Sequence, residues 1–126
     1  MSRIIPILMS LFLLANQAVA QSQMVAEPDM TVQRMGEIIL AIDPEARNQG
    51  PAFELTVDDV PVLIITDARA DRMRAMVPIR SADEIEPAEM QRLMQANFDS
   101  ALDARYAVAQ GRLWGVFIHP LSPLQK

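Results

Sequence analysis

Phe53-Glu54-Leu55-Thr56-Val57-Asp58 and, three residues on, Val62-Leu63-Ile64-Ile65 decide the fold. In the first stretch Phe53, Leu55 and Val57 alternate with Glu54, Thr56 and Asp58. A period of two puts the apolar set on one face of a strand. In the second stretch every position is apolar, so that strand is central or covered on both faces. Asp58-Asp59 between them marks a turn, and Asp67 to Asp71 marks another. Beyond it Met73, Ala75, Val77 and Ile79 alternate with Arg72, Arg74, Met76 and Pro78. Short turns between successive strands indicate an antiparallel meander.

Helices flank this meander. Val32, Met35, Ile39 and Ile42 recur at three- and four-residue steps, which lines up one helical face. Asp29 is the expected N-cap. Asp43-Pro44 forces the chain out of helical geometry, and residues 48–51 continue as a loop. Pro87 is a natural first residue for a second helix over about 87–103. Its apolar stripe is Met90, Leu93, Met94, Asn97, Phe98, Ala101 and Leu102. Strands at about 105–109 and 112–118 follow, with Gln110-Gly111 as their turn. The expected fold is α+β and two-layered, in the order α-β-β-β-α-β-β. Its five-stranded, largely antiparallel sheet carries both helices on one face.

Composition narrows the function. The chain has 126 residues, no cysteine, one histidine, 51% hydrophobic residues and a formal net charge of -5. That apolar content excludes a solvating tail, and the missing cysteine excludes disulfides, thiolate metal sites and a cysteine nucleophile. An acidic balance argues against a nucleic-acid partner. Arg3, the apolar run from Ile4 to Ala15, and Ala18-Val19-Ala20 have the layout of a secretory signal peptide. The run is shorter than the roughly 20 residues of a membrane span. The expected domains are therefore a signal peptide at 1–20, a flexible lead-in at 21–28 and one domain at 29–126. No stable membrane span is expected after cleavage, and the expected location is the bacterial periplasm or exterior. Removing residues 1–20 takes away Arg3 and no acid, so 106 residues at -6 remain.

One pattern departs from a sheet with one wet face. Leu113, Gly115 and Phe117 alternate with Trp114, Val116 and Ile118, and both sets are mainly apolar. Residues 62–65 behave the same way. Two readings fit: a second face covered by a dimer partner, ligand or client segment, or central strands with scattered exposed apolar residues. The candidate binding residues are Trp114, Val116 and Ile118, with Leu63 and Ile65. Arg72 and Arg74 fall on one sheet face, either as an arginine-lined solvent face balancing the chain's own acids or as a site for bidentate pairing with an acidic partner. Asn97, polar on an apolar stripe, needs a hydrogen-bond partner and is expected to clamp its helix to a strand or loop. Phe98 and Tyr106 join it as expected structural residues. Asp71 is expected to pair with a nearby arginine. His119 alone builds neither a metal site nor a triad. No catalytic residue, metal or cofactor is assigned, and no phosphate loop or nucleophile elbow is present.

Phe53 to Asp58 with Val60-Pro61-Val62-Leu63-Ile64 resembles the first hairpin of type III secretion chaperone-like proteins (the CesT or Tir-chaperone-like family). Leu93-Met94-Gln95-Ala96-Asn97-Phe98, Asp103 to Val108 and Gly111-Arg112-Leu113-Trp114 look similar as well. The likeness covers about residues 30–122. It implies a non-enzymatic, dimeric module that binds an extended protein or peptide client along apolar grooves. Two other readings remain: a small periplasmic ligand-binding or inhibitor-like domain with an enclosed pocket, and an enzyme using His119 with a carboxylate.

Overall fold

A computed structural model describes residues 26–126. The expected signal peptide and most of the lead-in lie outside the described residues. Helix α1 spans Val32–Ile42, with Asp43 as its C-cap. The N-cap is Thr31, not Asp29: its hydroxyl accepts from the Arg34 amide at 3.1 Å. Strands β1 (Arg47–Gln49), β2 (Ala52–Val57), β3 (Val60–Asp67) and β4 (Arg72–Ser81) follow. A single 3-10 turn, Ala82–Glu84, leads into α2 (Pro87–Asp99). Strands β5 (Ala104–Ala109) and β6 (Arg112–His119) complete the fold.

The fold is α+β, an open antiparallel sheet of six strands in the order β1-β2-β3-β4-β6-β5, with two helices. The sixth strand is β1, in the stretch expected to be loop. Arg47–Gln49 pairs with Ala52–Glu54 across a turn in which Gly50 has φ +65°. Three polar residues carry no apolar alternation, so the pattern is silent there. The backbone pairing, and an ion pair from Arg47 to Glu54, hold the strand instead.

Register assigns the faces. Phe53 stands opposite Ile64, Ile64 opposite Ala75, and Ala75 opposite Phe117. Residues directly opposite share a face. On this face Met35 and Ile39 of α1 pack with Phe53, Leu55, Met73, Met30 and Leu121 as the buried core. Phe53 is its centre, at 1% exposure. Thr66, the one buried polar residue among those described, donates its hydroxyl to the Pro51 carbonyl at 2.9 Å.

Helix α2 does not extend the core as its stripe suggests. It ends at Asp99 and buries no residue, and Phe98 and Leu102 are 91% and 85% exposed. Met90 and Leu93 are half-buried, and polar contacts fasten the helix. The Asn97 side chain bonds the Tyr106 backbone on β5, and Arg80 on β4 pairs with Glu89. The helix therefore closes the β5 edge and leaves much of its own stripe in solvent. At the opposite end Glu27, from the expected lead-in, pairs with Arg34 and accepts from the Lys126 amide at 3.2 Å.

Candidate functional site

The face opposite the core carries no helix that the core packing requires. Its rows follow from the register. Ala52, Ile65, Arg74 and Ile118 form one row across β2, β3, β4 and β6. Glu54, Leu63, Met76 and Val116 form the next. Pro78 and Trp114 stand opposite each other in the third, with Thr56 and Pro61 paired on the other side. All five of the expected apolar binding residues thus stand on one face, as do Arg72 and Arg74. Ile65 and Ile118 are exposed, at 40% and 53%. Leu63, Met76, Trp114 and Val116 are half-buried.

The sheet splits under the third row. Pairing between β3 and β4 stops at Leu63–Met76, although both strands continue. Pro61 and Pro78 lie just beyond that point, and neither has an N–H to give to a ladder. A register shift follows between Pro78 and Arg80. The result is a groove of about 530 Å³ lined by Leu55, Pro61, Val62, Leu63, Pro78 and Trp114. The Trp114 indole N–H donates to the Ala109 carbonyl at 3.0 Å, which fixes the ring at the groove wall with its donor satisfied. Asp43, Glu45, Glu54 and Arg47 form the polar rim. Asp43 is fixed there by its own bonds, accepting from the Thr56 amide at 2.8 Å and the Glu45 amide at 2.9 Å.

A second hollow, about 470 Å³, lies at the other end of the face. Ile65, Ile118 and Met73 line it beside Arg72, Arg74 and Asp67. The groove was not foreseen from the residues. Its signal is the pair of prolines inside two strand-like runs.

The remaining candidates sit elsewhere. Asp71 meets Ser122 rather than an arginine side chain. It accepts from the Ser122 amide at 2.7 Å and hydroxyl at 2.9 Å. Those two bonds, with the Arg72 charge, hold the Asp71 carboxyl below its ordinary value. Its positive φ of +51° turns the chain so that the tail after β6 can reach it. His119 lies on the core face, stacked on Phe117 with ring centroids 5.7 Å apart. Its Nδ1 faces the Pro120 carbonyl at 2.7 Å, not a carboxylate. Among the described residues no group of three His, Asp or Glu side chains converges as a metal site. No described helix is long and apolar enough to cross a membrane.

Comparison of the chain with known families and with curated proteins found no match in either.

Proposed function

We propose that this chain is an exported, non-enzymatic binding module that holds a protein or peptide segment on its open sheet face. The observation that carries the reading is the three rows just described. They put Leu63, Met76 and Val116 side by side, with Ile65 and Ile118 flanking Arg74 in one neighbouring row and Trp114 in the other, a groove at one end and no core helix among the described residues over them. Scattered exposed apolar residues are ordinary on a protein surface, but a contiguous patch marks an interaction site. The resemblance to type III secretion chaperones supports the same reading, and the signal-peptide layout of residues 1–20 supports export.

Peptides selected by display on the purified protein test it. The selected peptides should be rich in apolar residues and should lose binding to Ile118→Asp and Val116→Asp. Leu40→Asp, an exposed change on α1, should leave binding intact. Peptides that bind Ile118→Asp and Val116→Asp as well as the wild type would place the ligand elsewhere and end the proposal. The export element has its own test: the N-terminus of the protein recovered from an expressing bacterium should be Gln21.

A further inference from the structure

This inference rests on the open face being the binding surface, and it concerns the chemistry of the occupant. The two hollows on that face are unlike in charge. Arg72 and Arg74 stand two residues apart on β4, on the same face, flanked by the exposed Ile65 and Ile118. Arg34, Arg47 and Arg80 each have a glutamate partner. Arg74 has no hydrogen bond or ion pair among the described residues, and Arg72 donates only to the Asp71 carbonyl, at 2.9 Å. Asp67 stands opposite Arg72 in register, yet its Oδ1 accepts from the Arg69 and Ala70 amides at 3.0 Å. Those bonds engage Oδ1 in the loop, and Asp67 remains the one carboxylate lining this hollow beside the two arginines. Neither guanidinium beside this apolar surface is in an ion pair among the described residues, and two arginines face one aspartate in the hollow.

The far groove has the opposite balance. Its rim holds Asp43, Glu45 and Glu54 against Arg47 alone. Between the two ends the face is apolar. Arg74 and Pro78 are four residues apart on β4, about 13 Å at roughly 3.3 Å per residue. An extended segment covers that distance in four residues and presents every second side chain to the sheet.

We propose that the face receives an extended peptide segment with an Asp or Glu, followed two and four residues later by apolar side chains. The carboxylate pairs with Arg72 and Arg74 through charge-assisted bonds. The next inward residue lies over Leu63, Met76 and Val116. The last enters the groove beside Trp114. A second copy of this chain fits less well. A two-fold pair would set the basic hollow of one copy against the acidic rim of the other, but two sheet faces meeting broadly put no side chain specifically into the groove beside Trp114, whereas a narrow segment does.

The test uses the purified full chain and three capped, labelled peptides of sequence Ser-Thr-Xaa-Thr-Val-Thr-Phe-Ser, with Glu, Gln or Lys at Xaa. Binding is read by fluorescence anisotropy at two salt concentrations. The Glu peptide should bind about ten-fold more tightly than the Gln peptide, and the Lys peptide should bind most weakly. High salt should narrow these gaps. The doubly substituted Arg72→Gln/Arg74→Gln protein should abolish them, and Trp114→Ala should weaken all three peptides alike. The peptide series on unaltered protein stands even if a variant misfolds. Equal affinity for Glu and Gln peptides overturns the acidic preference while the binding face survives. Decanoate bound as tightly as the Glu peptide makes the site one for small anionic amphiphiles and overturns the proposal. A two-chain mass in light scattering that Ile118→Asp converts to one chain, with no peptide bound, makes the occupant a second copy. A one-chain mass with none of the peptides bound overturns both this inference and the reading it rests on.

Discussion

The Asn97 side-chain amide takes the place of a seventh strand beside Tyr106. Its Nδ2 donates to the Tyr106 carbonyl at 3.0 Å, and its Oδ1 accepts from the Tyr106 amide at 2.7 Å. A strand edge presents unpaired groups of this kind, and covering them prevents pairing with foreign strands. Only an amide offers donor and acceptor at this reach. Asn97→Ala should cost about 1–3 kcal/mol, the sum of two part-buried hydrogen bonds. Asn97→Asp should cost as much, because a carboxylate faces the Tyr106 carbonyl without a donor. Urea unfolding measures both, and faster hydrogen exchange at the Tyr106 amide would locate the damage.

Asn97 also shows what was legible in advance and what was not. A polar residue on an apolar helical stripe announces a partner, and its spacing names the helix. The rest of that stripe misleads. Phe98 and Leu102 read as core but stand in solvent, because α2 half-buries only the Met90 and Leu93 part of its stripe and is otherwise fastened by Asn97 and Glu89. Periodicity reports which residues share a face, not whether anything covers it. The same distinction served the open face well. Trp114, Val116, Ile118, Leu63 and Ile65 share it because strand alternation is strict, whatever lies above. What periodicity misses is β1, which is polar throughout, and the groove, which depends on where two prolines end a ladder. The consequence for α2 is measurable. Phe98→Ser and Leu102→Ser should each change stability by less than about 0.5 kcal/mol, as exposed substitutions do. A loss of several kcal/mol in either would mean that a second surface covers them in solution.

The Asp71–Ser122 contact should make the tail sensitive to acid. The Ser122 amide and hydroxyl favour the charged carboxylate, so the Asp71 pKa is lower folded than unfolded, where its ordinary value is 3.8. A depressed acid contributes its stability in full above the unfolded pKa and loses it as pH falls through the folded one. Asp71→Asn keeps the shape and tolerates the positive φ, but removes the charge. The gap in thermal midpoint between wild type and Asp71→Asn should be constant from neutral pH to about pH 5. It should shrink below about pH 4. A gap that stays unchanged down to pH 2 would show that the charge is not what Ser122 holds.

Two hairpins share one backbone turn with different residues in it. Asp58 and Asp59 have φ of 49° and 64°, and Gln110 and Gly111 have φ of 51° and 69°. Both join strands through two residues with positive φ, the geometry that matches strand twist and favours glycine in the second place. The β5–β6 hairpin has that glycine, and the β2–β3 hairpin has a second aspartate instead. Asp59→Gly should therefore stabilise the protein by up to about 1 kcal/mol, also relieving repulsion between adjacent carboxylates. Gly111→Asp should destabilise it by a similar amount. Chemical denaturation of the pair of variants checks that the two shifts have opposite sign.

Gly36 sets how closely α1 approaches the sheet. A Cβ there would lie 3.3 Å from the edge of the Phe53 ring, and Phe53 is the most deeply buried side chain of the core. Two effects of similar size then compete in Gly36→Ala. The helix gains about 1 kcal/mol from replacing glycine. The new methyl requires the ring to give way by a few tenths of an ångström, in a core packed around Phe53. These offset, so Gly36→Ala should lie within about 1 kcal/mol of wild type. Gly36→Val adds two methyl groups beyond the Cβ and loses much of the propensity gain, so it should cost about 1–3 kcal/mol. If crowding against the ring is the cause, Phe53→Leu should rescue Gly36→Val in part: the loss in the double variant should be smaller than the sum of the two single losses. Simple additivity in that cycle would show that Gly36 is set by the helix backbone and not by its contact with Phe53.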